Sequence, residues 1–153
     1  MSGNGCHRLF ALSLWLFAGC AAGPPPPAQL DTRNETCRHC RMAVSDRRFA
    51  AQIVAPWQEP LFFDDVGCLA SHLAAAGPRA EGAVAYVADH RTGAWVPAAA
   101  AVFSRVVTLE TPMASHLIAH RSMASRAADP AAAGGRPIAA AAVFAAGTLP
   151  EGR

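Results

Sequence analysis

An apolar run from Leu9 to Phe17, closing in Phe17-Ala18-Gly19-Cys20, decides where this chain folds and how much of it can fold. The run is shorter than the about 20 residues needed to span a bilayer, and with Arg8 ahead of it the pattern reads as a secretion signal. Small residues directly before Cys20 mark a lipoprotein processing site, so residues 1–19 read as a signal peptide and Cys20 as the lipidated N-terminus. Several acyl chains on one cysteine anchor stably, since each buried methylene adds about 0.8 kcal/mol. Ala21 rather than Asp follows, so the expected place is the periplasmic face of a membrane, the outer one before the inner. Gly23 and Pro24 to Pro27 favour an extended polyproline helix, about 3.1 Å per residue, so 20–35 reads as anchor and semi-rigid spacer. Residues 36–145 are then one domain of ordinary size, and 146–153 a fraying tail.

The oxidising compartment gives the cysteines their meaning. Cys37, Cys40 and Cys68 fall in the domain, an odd number, so at least one is free or ligates a metal. The stretch Cys37-Arg38-His39-Cys40-Arg41-Met42 packs two thiols, an imidazole and a thioether into one turn. Four readings stand side by side. Redox chemistry of the thioredoxin kind places the pair at a strand-to-helix junction, whereas here a strand follows. A structural disulfide suits the compartment. Zinc would join Cys37 and Cys40 to Cys68 and His72, which share one face of a predicted helix. Cu(I) is soft and selects thiolate and thioether donors, and Met42 tips the choice toward it. Arg33, Arg38, Arg41, Arg47 and Arg48 surround the pair, and nearby positive charge raises the thiolate fraction.

Composition excludes more than it assigns. Thirteen basic residues, all Arg, against eleven acidic ones give a net charge of +2, too balanced for a nucleic-acid binder. No phosphate loop and no Ser-His-Asp order is present, and Asp64-Asp65 is explained by helix capping, so the chain reads as a binding protein and not an enzyme.

Hydrophobic patterning predicts strands over 49–54 and 61–63, a helix over 66–75 ending at Gly77-Pro78, and a strand over 83–88. Asp89 to Gly93 reads as a turn with a solvated His90. Strands over 102–108 and 117–120, a helix over 125–133 capped by Ser125, and a strand over 138–144 repeat the order. The fold class is therefore α+β, two similar ββαβ halves in one small domain. Trp57, Trp95, Tyr86 and the phenylalanines read as core or strand-face residues.

Six motifs occur in register: Cys37-x-x-Cys40-x-Met42, Phe49-Ala50-Ala51-Gln52, Phe63-Asp64-Asp65-x-Gly67-Cys68, Tyr86-Val87-x-Asp89, Thr92-Gly93-x-Trp95 and Pro112-Met113. Over about Glu35 to Ala142 the chain resembles the NosL-type accessory lipoproteins of nitrous-oxide reductase, periplasmic copper carriers with a duplicated ββαβ domain. The resemblance implies Cu(I) donors at Cys40 and Met113, with Cys37 and Met42 in support; His39 and His116 each lie near one of these, so either is a candidate third ligand. It leaves Cys68 structural, a small hydrophobe on a helix. It implies as partners nitrous-oxide reductase and its ABC-type maturation complex, with the membrane reached through the N-terminal lipid. Where the family usually has Gly, after the second cysteine and after the distant methionine, this chain has Arg41 and Ala114. A positive φ at Arg41 would strain a residue that carries a Cβ.

Overall fold

A computed structural model describes residues 23–76 and 80–147. The leader, Cys20, the Gly77-Pro78 helix stop and the tail beyond Gly147 lie outside the described residues.

Two antiparallel sheets carry the fold. The first joins β1 (Ala51–Val54), β2 (Leu61–Phe63), β3 (Val84–Ala88) and β4 (Trp95–Pro97) in the order β2-β1-β3-β4. The second joins β5 (Val102–Arg105), β6 (Leu117–His120) and β7 (Arg136–Ala139) in the order β6-β5-β7. Helix α1 (Val66–Ala75) follows β2, and helix α2 (Met123–Ala127) follows β6. Each half is thus ββαβ with its first strand in the middle, and the α+β duplication expected from the sequence is present. Leu69, Phe63 and Val87 of the first half pack with Phe103, Leu117 and Ala119 of the second in one core. At about 25 cal/mol per Å² of apolar area, this shared core makes the two sheets one unit.

Where polar caps are strong the predicted bounds hold, and α1 begins at Val66 because the Asp65 side chain accepts the Gly67 N–H at 2.6 Å. The second helix is the main correction. It is capped by Ser122, not Ser125, and it stops at Ala127. Asp129 stands before Pro130 in an extended conformation, as a residue before proline prefers, and its side chain caps a short 3₁₀ turn, Pro130–Ala132. The last strand starts earlier than expected and ends at Ala139, after which Ala140–Val143 forms a short helix, α3, in keeping with the helix preference of alanine. Beyond it Phe144 is buried edge-on against Phe103, with ring centroids 5.4 Å apart. Strand β4 has three residues and a terminal proline, too little pattern to predict. Trp57, expected in the core, is fully exposed with φ 61°.

Two motif residues tie the Pro-rich stretch to the domain. Gln52 is fully buried, and its amide accepts the Ala28 N–H at 2.8 Å and donates to the Ala28 carbonyl at 3.2 Å. The Tyr86 hydroxyl donates to the Pro25 carbonyl at 2.6 Å. Residues 25 to 28 therefore lie against the first sheet.

His90 is also a correction: it is buried, not solvated. Its Nδ1 and the Nε2 of His120 both lie against Asp129 Oδ2, at 2.7 and 2.9 Å. The other ring nitrogens, His90 Nε2 and His120 Nδ1, are buried without a partner. With Asp129 ionised, each imidazole donates through the nitrogen that faces it. Burial works against that charge, yet the bonds from His120, His90 and the Ala131 N–H hold the carboxyl below its usual range.

Asp89 is the second buried carboxylate. It accepts from the Arg121 N–H at 2.8 Å, from Ser125 Oγ at 2.7 Å, and from the Thr92 N–H and hydroxyl at 3.0 Å each. Burial raises its pKa, but these bonds outweigh it and hold the group at about 2 against an ordinary 3.8. A carboxyl depressed that far contributes about 2 kcal/mol, fully present above pH 4 and lost as the pH falls toward 2. Unfolding in denaturant from pH 7 to pH 2 is expected to show this loss. In Asp89→Asn stability is lower by about 2–3 kcal/mol at pH 7, with a flatter acid limb.

Candidate metal centre

The Cys37-to-Met42 segment is a hairpin turn closed by its own backbone. The Cys37 N–H donates to the Met42 carbonyl at 2.8 Å, and the Arg41 N–H returns to the Cys37 carbonyl at 3.0 Å. Closing so tight a turn forces Arg41 into the left-handed region, at φ 69°. The next N–H, of Arg38, donates to the Phe62 carbonyl at 2.8 Å and docks the hairpin on β2. No helix begins at Cys40, so the pair lacks the strand-to-helix setting of a thioredoxin-like dithiol.

Docking on β2 brings the hairpin to the N-terminal end of α1. The sulfurs of Cys37, Cys40 and Cys68 and a carboxylate oxygen of Asp64 all lie within 4.8 Å of one another. Cys37 and Cys68 are buried, Cys40 is half-buried, and none of the three is in a disulfide. Cys40 Sγ donates to Asp64 Oδ1 at 3.5 Å. Two expectations change here. The fourth member of the group is Asp64 and not His72. Cys68, expected to stand apart from the donors, stands among them.

The arginines do not lower the thiol pKa as expected. Burial pushes Cys40 above its usual range, the Met42 N–H offsets part of this, and Cys37 and the Asp64 carboxylate add to the rise. Cys68 is raised further, again first by burial. Two of them face elsewhere: Arg47 donates to the Gly93 carbonyl at 2.7 Å and stacks on Trp95, and Arg48 pairs with Asp46 at 2.6 Å.

Met113 reaches the same place from the second half. Its N–H donates to Asp65 Oδ2 at 3.1 Å, the carboxylate that caps α1. The dipeptide Asp64-Asp65 thus holds Cys40 with one side chain and Met113 with the other. Met113 is 42% exposed and Met42 59%, unusual for thioethers and suited to donors open to exchange. Ala114 and His116 flank Ser115 at φ 52° and 58°, so the second position where the family favours Gly is left-handed as well. Thr111 braces the loop, its hydroxyl accepting the His116 N–H at 3.2 Å. His116 Nδ1 donates to the Leu109 carbonyl at 2.9 Å, which leaves Nε2 as its only donor atom, and His39 is exposed.

Gly67 shows why this loop can approach. A Cβ there would lie 2.6 Å from the Ser115 Cβ, closer than carbon atoms tolerate. Gly67→Ala is expected to cost about 1–3 kcal/mol and to lift the Met113 loop off α1. Denaturant unfolding checks the first effect, and the amide resonances of Met113 to His116 check the second.

The hairpin has a counterpart. In the second half the Asp89 N–H donates to the Ala94 carbonyl at 2.8 Å, and the Gly93 N–H to the Asp89 carbonyl at 2.7 Å. The His90 N–H docks it on the Ala119 carbonyl of β6 at 2.8 Å, and Gly93 has φ 70° where Arg41 has 69°. The first hairpin leads into the 3₁₀ turn Arg47–Phe49 and then β1, and the second leads through β4 into the 3₁₀ turn Ala98–Ala100 and then β5. Asp89 and Thr92 therefore stand where Cys37 and Cys40 stand. Ser125, third residue of α2, stands where Cys68, third residue of α1, stands.

Comparison with known proteins agrees with this geometry. Searches of curated proteins and of solved structures found no match. The NosL family model matches residues 27–145, well over half of the chain, including the hairpin, Asp64-Asp65, Cys68 and Met113. The chain belongs to the NosL family, a family of copper-binding accessory proteins and not of enzymes.

Proposed function

We propose that this chain is a lipid-anchored periplasmic carrier that holds one Cu(I) and passes it to nitrous-oxide reductase through the ABC-type maturation complex. The observation that carries this reading is that neighbouring carboxylates at the start of α1 hold both the half-buried Cys40 thiol and the backbone N–H of the exposed Met113. Family membership supports copper over other soft cations. Soft donors favour Cu(I) over the harder Cu(II), and a donor pair open on one side suits release by ligand exchange. Met42 and Cys37 stand in support, one exposed beside the pair and one buried beneath it.

Losing an outer-shell partner of a metal ligand alone costs about 10–100-fold in affinity. Cys40→Ser removes a donor outright and is expected to exceed that range, since a hydroxyl is neither ionised nor soft at neutral pH. Met113→Leu keeps bulk and apolarity and is expected to weaken binding about tenfold with the circular dichroism unchanged. Both are read by anaerobic competition with a chromogenic Cu(I) chelator. Wild-type affinity in Met113→Leu would leave the local group Cys37, Cys40 and Met42 as the site. Anchoring is tested separately: labelled fatty acid should enter the wild type and not Cys20→Ala.

A further inference from the structure

We infer that Cys37 and Cys68 form, behind Cys40, an inner three-sulfur seat for the cargo cation, so that Cys68 is a ligand and not a packing residue. The inference rests on the Cu(I) reading above for the identity of the cation.

The second half shows what these three positions do. There the Asp89 carboxylate joins Thr92, on the hairpin, to Ser125, on the helix, through bonds of 3.0 and 2.7 Å. A central anion surrounded by donors locks hairpin to helix. In the first half the corresponding positions carry only sulfur, and thiols are weak donors and weak acceptors. Thiol contacts such as that of Cys40 Sγ to Asp64 Oδ1, at 3.5 Å, do not reproduce so tight a junction. A soft cation at the centre of the three sulfurs does, with the charges reversed: positive in the middle, thiolates around it. Thiolate softness selects Cu(I), and the first turn of α1, where Cys68 lies, presents the positive end of its helix dipole to the thiolates.

Cys37 and Cys68 are shielded from solvent, while Cys40 is half-open and bonds Asp64, next to the Asp65 that receives the Met113 N–H. Cys40 is therefore common to both faces. On binding, each coordinating thiol loses its proton to solvent as its sulfur–copper bond forms, and copper stays Cu(I) throughout. On release, Cys37 and Cys68 regain protons while Cys40 and Met113 hold the ion for a partner's donors.

The test is Cu K-edge X-ray absorption on the reduced, Cu(I)-loaded protein, paired with chelator competition. The wild type is expected to show at least three sulfur neighbours. Cys68→Ser is expected to lose one of them and at least tenfold in affinity. Serine occupies the matching place in the second half, so the substitution is compatible with the fold, and a thermal melt confirms it. Two sulfurs in the wild type, or an unchanged sulfur count and affinity in Cys68→Ser, would overturn the inference and leave the Cu(I) reading intact. A wild type that leaves Cu(I) to the chelator and takes zinc through three sulfurs and Asp64 would overturn both.

Discussion

A single carboxylate, that of Asp65, holds the arrangement together. It accepts the Gly67 N–H and so fixes where α1 begins. It accepts the Met113 N–H and so fixes where the second half meets the first. Asp64, beside it, turns the Cys40 thiol inward. The close approach works only because position 67 lacks a Cβ. Helix start, interdomain loop and sulfur cluster are therefore one structural decision. Charge-assisted bonds to backbone N–H groups, at about 1.5–3 kcal/mol each, are strong enough to keep it.

Duplication lets the two halves divide the work. The second half uses oxygen and nitrogen: Asp89 with four donors, and Asp129 between two imidazoles, all buried. Four bonds converge on Asp89, while His90 Nε2 and His120 Nδ1 stay unpartnered. The first half has sulfur in the matching places, an exposed thioether on each side, and a left-handed Arg41 where the second half has Gly93. Left-handed backbone costs a residue with a Cβ about 1–2 kcal/mol, and the first-half hairpin and the Met113 loop carry three such residues, Arg41, Ala114 and His116. Such strain persists only where the surroundings over-determine it, here through the docked hairpin and the braced loop. One half is joined by oxygen and nitrogen, and the other gathers buried and half-buried sulfur under exposed thioethers.

Much of this was legible in the residues. Asp65 and Leu117 to His120 set the bounds of α1 and β6 because capping and a short apolar run act locally. The motif Cys37-x-x-Cys40-x-Met42 announced soft-ligand chemistry on composition alone. What could not be read depends on distance in sequence. Nothing local says that Cys68 lies beside Cys37, or that His90 turns inward onto Asp129, since both follow from how hairpins dock on strands. Ser122 and Ser125 are both good caps by residue type, and Pro130 alone shows that the helix is short. The hairpin repeat escaped because no residue is shared between its copies. The signal was there in Asp89-x-x-Thr92-Gly93 placed before a 3₁₀ turn and a strand, as Cys37-x-x-Cys40-Arg41 is.

The account turns on soft-cation chemistry confined to the first hairpin, the start of α1 and the Met113 loop. Amide NMR of the reduced full chain titrated with Ag(I), a redox-silent stand-in for Cu(I), tests this directly. The predicted result is saturation at one equivalent, with shifts at Cys37 to Met42, Asp64 to Cys68 and Met113 to His116. Asp89 to Gly93, of the same backbone shape but oxygen-lined, should stay unchanged. Equal shifts in both hairpins, or shifts centred on His90, His120 and Asp129, would contradict it.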